Sequence, residues 1–130
     1  MQTINVKTHS RDELVDITSE VKRVVKQSGA QTGICLVYTP HTTAAITINE
    51  NADPDVTSDI IKGMNSLKLE SVHFNHSEGN SPAHIKSSLF GCSETLIIEN
   101  GMLQLGTWQG LYFCEFDGPR NRKVYIQIMA

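Results

Sequence analysis

Three of the five histidines fall within one short stretch, HFNHSEGNSPAHIKSSLFG, which begins at His73. His76 lies among turn-forming residues, and His84 follows Pro82, where a short helix is expected to begin. A loop that folds back would bring these two imidazoles together, so their spacing permits a metal site without requiring one. The plainer interpretation is that His73 and His76 are solvated loop residues and that His84 is a capping or core side chain.

A fourth histidine, His41, stands after a proline between two strand-like runs. With His76 and His84 it could complete a site of three neutral imidazoles and one water, which is a catalytic type of zinc site. The surrounding segment, HTTAAITINENADPDV, is rich in hydroxyl and amide side chains and also carries one carboxylate, that of Glu50. These side chains could orient a polar substrate, but ordinary strand-edge and helix-cap bonding uses the same residue types. They are Thr42, Thr43, Asn49, Glu50 and Asn51.

A second charged motif, EFDGPRNRK, surrounds a tight Asp-Gly-Pro turn. Glu115 precedes the turn, Asp117 is its first residue, and Arg120 and Arg122 follow it. Two guanidinium groups beside a turn can hold a phosphate or a carboxylate. The alternative is a polar hairpin whose charges pair with each other or with water.

The elements that position these residues follow from hydrophobic spacing. Alternating or β-branched runs predict strands at TINVKTH, GICLVYTP and TAAITINE. DITSEVKRVVKQSG predicts a helix that Thr18 or Ser19 caps and Gly29 ends. NADPDVTSDIIKGMNSL predicts a second helix, entered through Pro54, with a buried apolar face. That face comprises Val56, Ile60, Ile61, Met64 and Leu67.

The rest of the chain predicts one short helix, from Pro82 to Gly91, and then only strands. The strand segments ETLIIENG, MLQLGTWQGLYFCEFDG and RKVYIQIMA are bounded by Gly, Asn-Gly or Asp-Gly-Pro, as in antiparallel hairpins. We therefore expect an α+β fold: a mainly antiparallel, β-sandwich-like sheet with two or three helices. A length of 130 residues predicts one domain over residues 1–130.

Composition limits the classes of function. No apolar run approaches the roughly 20 residues of a membrane span, and the N-terminal segment lacks the features of a signal peptide, so we expect a cytoplasmic protein with no membrane partner. A net charge of −3 without a basic run argues against a nucleic-acid partner. Cys35, Cys92 and Cys114 are expected to be buried, reduced thiols, and Trp108 a core anchor.

Three motifs in fixed order, HTTAAITINENADPDV, PAHIKSSLFG and LGTWQGLYFCEFDGPRNR, resemble those of the YjbQ family, also called UPF0047. The match runs from about Pro40 to Arg122, and the preceding strand-helix-strand order fits it too. The resemblance implies a compact α+β sandwich that assembles as a homotrimer, with a metal-associated pocket near subunit boundaries. It also implies an activity of the thiamine-phosphate-synthase type.

Carried over by position, the motif histidines are His41, His76 and His84, and the resemblance makes them the predicted metal ligands. Zinc is the divalent ion that best matches imidazole ligands. Arg120, helped by Arg122, would hold an anionic group of the substrate. Asn49 or Glu50 would position the substrate, while Glu115 and Asp117 belong to the same matching block as Arg120.

These residues and the resemblance together leave two functions open, beside a third hypothesis in which the metal site is purely structural. The first is a metal-dependent enzyme acting on a small phosphorylated metabolite, with thiamine phosphate formation as its specific version. Departure of pyrophosphate normally calls for magnesium on carboxylates, which fits a histidine cluster poorly. The second is a non-catalytic trimeric protein that binds a metal or a small anion.

Overall fold

The computed structural model describes residues 1–130 and places eight strands in two antiparallel sheets. The larger sheet has the strand order β1-β8-β3-β5-β6, and the smaller one has the order β2-β7-β4. The strands are β1 (Gln2–Lys7), β2 (Glu13–Asp16), β3 (Gly33–Tyr38), β4 (Ala44–Glu50), β5 (Ser93–Glu99), β6 (Met102–Leu103), β7 (Gln109–Glu115) and β8 (Asn121–Met129). The helices are α1 (Thr18–Ser28), α2 (Pro54–Asn65) and α3 (Ser81–Phe90), with a 3-10 turn at Leu69–Ser71.

The main core lies between the sheets and beneath α1. It draws valines from α1 and alternate residues from the strands, such as Cys35 and Val37 of β3. The intervening residues Ile34 and Tyr38 point to the outer face of the larger sheet and are exposed. A smaller cluster around Phe116 packs α3 against β4 and β7. The predicted α+β class, with antiparallel sheets and three helices, is confirmed.

The first helix ends as predicted and begins differently. Gly29 adopts a left-handed conformation, with φ 72°, and its N–H donates to the carbonyl of Lys26. At the start, neither Thr18 nor Ser19 is the cap. The Asp16 carboxylate accepts hydrogen bonds from the Thr18 backbone N–H, at 2.9 Å, and from its hydroxyl. Asp16 belongs to the short strand β2, which the sequence did not predict because four residues carry too little alternation.

Several burial predictions were wrong. No residue of α2 is fully buried, because this helix packs on the outside of the domain, and Leu67 is exposed. Trp108 lies in the turn before β7 and is 63% exposed, so it is not a core anchor. Cys35 and Cys114 are buried free thiols, whereas Cys92 is exposed. None of the helices combines the length and the apolar composition that a membrane crossing requires.

Candidate functional site

A polar cleft of about 330 Å³ lies where three distant segments of the chain meet. These segments are the connection between β3 and β4, the turn between β7 and β8, and the start of α3. Apart from Pro40, no hydrophobic side chain lines the cleft, so it suits a small, charged or strongly polar ligand. Its lining comprises Pro40, His41, Thr42, Thr43, Glu78, Asn80, His84, Asp117, Arg120 and Arg122.

A buried ion pair forms the floor of the cleft. Arg122 is 5% exposed and Glu115 is fully buried. The Arg122 guanidinium donates to both carboxylate oxygens of Glu115, with Nε to Oε1 at 2.8 Å, and Nη2 also donates to Thr43 Oγ1 at 2.9 Å. The Thr8 hydroxyl donates to Glu115 Oε1 at 2.8 Å. Arg122 therefore has a fixed position, and only its Nη1 lacks a protein partner.

The second arginine of the motif is held less firmly. Arg120 is half exposed; its Nη2 lies 3.0 Å from Asp117 Oδ2, and its Nε donates to the Asp117 carbonyl at 2.8 Å. The same Asp117 oxygen accepts from the side-chain amide of Asn80 at 2.9 Å. Charges of the hairpin thus pair with each other, as the alternative interpretation predicted. Asp117 lines the cleft, whereas Glu115 lies beneath it and has no free oxygen.

His41 accepts a hydrogen bond, and this fixes its tautomer. The backbone N–H of Lys123 donates to His41 Nε2 at 2.9 Å, so Nε2 carries no proton and Nδ1 does. Burial lowers the pKa of His41, and the positive charge of Arg122 lowers it further, against a smaller opposing effect of Glu115. His41 is therefore a neutral imidazole that lines the cleft with its Nδ1–H free.

The other two predicted metal ligands lie side by side. The ring centres of His76 and His84 are 5.4 Å apart, and the rings are nearly perpendicular. His84 lines the polar cleft and also an adjoining open pocket that includes His76. His73 faces a third depression beside His76 and does not line the cleft.

The His76 and His84 pair fits a shared metal ion by its separation. Two imidazoles on one tetrahedral zinc, with bonds of about 2.0–2.1 Å, have ring centres roughly 5 Å apart. Within the single chain, no group of three His, Cys, Asp or Glu side chains is close enough to hold an ion. The chain alone thus supplies two adjacent imidazoles, and His41 is not assembled with them.

One buried polar atom in the cleft has no partner. Asn80 Oδ1 is out of contact with solvent and accepts no hydrogen bond, while the amide nitrogen of the same side chain donates to Asp117. An unpaired buried acceptor costs about 1–3 kcal/mol. Sequence reasoning missed Asn80, although an asparagine before Ser-Pro is a recognisable helix-cap signal. Glu78 was missed too, since an acidic loop residue gives no signal of its own.

Asn49 and Glu50 lie away from the cleft within one chain. They end β4, opposite Gly110 and Gln109, whereas the cleft adjoins the beginning of that strand. A seven-residue strand spans about 20 Å, which separates these side chains from Arg120. Their predicted role in positioning a substrate therefore has no support from the geometry of a single chain.

The chain matches known proteins along nearly its whole length. The family model described as "UPF0047 protein YjbQ-like" matches residues 2–130. The UPF0047 protein YugU of Bacillus subtilis is 52% identical, over 100% of this chain and 99% of its own length. The chain belongs to the YjbQ family. The UPF0047 protein MJ1081 of Methanocaldococcus jannaschii is 55% identical over 96% of this chain and 91% of its own length.

Solved structures of the YjbQ family share the fold. An uncharacterized conserved protein of the YjbQ/UPF0047 family from Clostridium acetobutylicum superposes with a TM-score of 0.97 and 53% identity, covering 99% of this chain and 100% of its own. A YbjQ-like protein of unknown function from Sulfolobus solfataricus gives a TM-score of 0.93 at 35% identity, covering 98% and 94%. The fold is thus that of the YjbQ family.

Proposed function

We propose that the polar cleft binds a small phosphorylated metabolite together with a divalent cation, with zinc the best match to the ligand type. The observation that carries this proposal is the lining itself: guanidinium, imidazole and amide groups converge on one cleft in which Pro40 is the only apolar side chain. Phosphate oxygens are the ligand atoms that such donors suit. Arg120 and Arg122 hold the anionic group, and His76 and His84 hold the cation.

The charge of the cleft is the reason for including a cation. Two guanidinium groups, those of Arg120 and Arg122, face three carboxylates, those of Glu78, Asp117 and Glu115, which leaves a net charge of −1 with neutral histidines. A phosphate dianion would enter an unfavourable potential there. A divalent cation changes the net charge to +1 and supplies Lewis acidity at the phosphate.

The geometry favours phosphate binding over the more specific synthase reaction. Formation of thiamine phosphate requires the enzyme to hold two heterocyclic rings and to shield a reactive cation from water. The cleft of a single chain is open, and apart from Pro40 its lining residues are polar or charged, so it offers little apolar surface to either ring. The synthase-type activity therefore stays a prediction from the family resemblance, and the binding function is the part that the residues of this chain support.

Phosphate affinity should depend on the cation. We expect inorganic phosphate to bind the zinc-loaded protein about tenfold or more tightly than the chelator-treated protein, because a charge-assisted contact contributes about 1.5–3 kcal/mol. Excess zinc is removed from the loaded protein before the titration. Titration calorimetry measures both affinities. By linkage, phosphate should raise the zinc affinity by the same factor.

Variants of three neighbouring histidines provide the matched controls. His76→Ala and His84→Ala should lose zinc and the zinc-dependent part of phosphate binding. His73→Ala should behave like the parent, because His73 lines neither the cleft nor the adjoining pocket that His76 and His84 share. Equal phosphate affinity with and without zinc, or full zinc occupancy in both His76→Ala and His84→Ala, would contradict the proposal.

We also propose that the chain assembles as a homotrimer through the outer face of the larger sheet. Ile34 lies directly opposite Ile97 on β5 and Met129 on β8, and all three side chains are exposed. The rings of Tyr38 and Tyr125 pair on the same face. An exposed apolar stripe of this kind is typical of a surface that another chain covers.

Light scattering should show a particle of three times the 14.4 kDa chain mass at micromolar concentration. Ile34→Lys should shift the protein toward the monomer, because it places a charge within the apolar stripe. Leu89→Lys is the control, since Leu89 is exposed on α3, outside the sheet. A monomeric parent, or an unchanged trimer in Ile34→Lys, would exclude this interface.

A further inference from the structure

The hydrogen bond at His41 has the opposite polarity to the one that a metal ligand makes. A histidine that binds a metal through one ring nitrogen donates the proton of the other nitrogen to an acceptor, which fixes the ring. At His41 the protein presents a donor instead: the Lys123 N–H points at Nε2 from 2.9 Å. Lys123 belongs to β8, so this donor is part of the sheet and cannot turn away.

Either route to metal binding would destroy this hydrogen bond. Binding through Nε2 requires the lone pair that accepts from Lys123. Binding through Nδ1 requires the ring proton to move to Nε2, where it would face the Lys123 N–H. In both cases a bond that holds the ring is replaced by an unpaired or repulsive contact. The arrangement instead leaves a fixed Nδ1–H donor in the cleft.

We propose that His41 is a hydrogen-bond donor to the anionic ligand and not a ligand of the metal. This inference rests on the proposed function, since it concerns the same cleft and the same phosphorylated class of ligand. His41 Nδ1–H and Arg122 Nη1 together form a subsite for one phosphate oxygen or for two neighbouring ones. The metal then has His76 and His84 as its protein ligands, and phosphate or water completes its coordination.

Accessibility supports this pairing of donors. Asn80 Oδ1 is the only side-chain polar atom that is both buried and without a partner. His41 Nδ1 and Arg122 Nη1 also lack partners, so both atoms must be accessible to solvent. Both residues line the cleft, and a ligand in the cleft can therefore reach these atoms. Each donor group is fixed by another contact: the hydrogen bond from Lys123 fixes the His41 ring, and the ion pair with Glu115 fixes the Arg122 guanidinium. Fixed donors lose little conformational entropy when they bind an anion.

Two substitutions separate the roles of the two ring nitrogens. His41→Asn places an amide nitrogen near the position of Nδ1 and keeps a donor toward the cleft. His41→Gln places an amide oxygen near the position of Nε2 and keeps the acceptor for Lys123 without that donor. Zinc affinity would be measured by competition with a chromogenic chelator, and inorganic phosphate affinity by calorimetry on the zinc-loaded variants.

We expect both variants to keep zinc affinity within about threefold of the parent, whereas His84→Ala loses it. We expect His41→Gln to lose about tenfold in phosphate affinity, the equivalent of one charge-assisted hydrogen bond, and His41→Asn to lose less. If both His41 variants lose zinc as His84→Ala does, this inference is wrong, while the proposed function is unaffected. Equal phosphate affinity in parent and His41→Gln would also show this inference to be wrong. A parent that binds neither zinc nor phosphate would overturn the proposed function with it.

Discussion

Replacing Arg122 with methionine is expected to lower the free energy of unfolding by about 3–5 kcal/mol. Methionine keeps most of the buried volume, so the loss comes from the charge of Glu115, which is fully buried. The Thr8 hydroxyl and the Asp117 N–H would still donate to that carboxylate, but no positive charge would face it. Urea unfolding of both proteins, followed by far-UV circular dichroism, measures the difference.

The same substitution at Arg120 is the matched control. Arg120 is half exposed and its ion pair with Asp117 is at the surface, so Arg120→Met should change the free energy of unfolding by about 1 kcal/mol or less. Adding Glu115→Gln to Arg122→Met should recover a large part of the lost stability, because it removes the unpaired charge. Equal effects of Arg120→Met and Arg122→Met would show that burial of the pair is not the cause.

Lys86→Met is expected to cost about 2–3 kcal/mol of the free energy of unfolding. Lys86 is 2% exposed, and its ammonium lies 3.3 Å from Asp12 Oδ1 and 3.0 Å from Asn65 Oδ1. It also lies above the ring of Phe116. One buried charge thus ties α3 to α2 and to the loop between β1 and β2. Its removal takes a donor from the part-buried oxygens of Asn65 and Asp12, of which only Asp12 keeps another partner, Arg11.

Lys62→Met provides the comparison, since Lys62 is exposed on α2 and makes no ion pair. It should be neutral to within about 0.5 kcal/mol. Because α3 also carries His84, a looser α3 should lower the zinc affinity of Lys86→Met but not that of Lys62→Met. A Lys86→Met protein as stable as the parent would mean that this network contributes no net stability.

The sequence predicted the fold well wherever one face of an element is buried. In β3 and β4 the apolar residues fall where the sheet requires them, and Gly29 ends α1 because only glycine adopts that conformation cheaply. The errors have a physical pattern. Trp108 and the apolar residues of α2 were placed in the core by their type, but residue type cannot show whether the domain itself covers a helix or a turn.

The candidate site was predicted in its residue types and only in part in its geometry. The sequence identified His41, His84 and Arg120, which the fold brings to one cleft from three distant segments. It could not show that Arg122 is already paired with the carboxylate of Glu115, or that a backbone N–H faces His41 Nε2. Both facts depend on the register between strands, which no local pattern specifies.

The position of β8 has a consequence for how the protein folds. This strand is the last element in chain order, yet it lies inside the larger sheet, where Ile4 of β1 is opposite Val124 and Val37 of β3 is opposite Ile126. A nascent chain on the ribosome cannot close this sheet until β8 has emerged, and such non-local pairing makes folding slow. Arg120 and Arg122 emerge at the same late moment. The phosphate ligand proposed above would therefore find its arginines in place only in the finished domain, and it would stabilise that state alone.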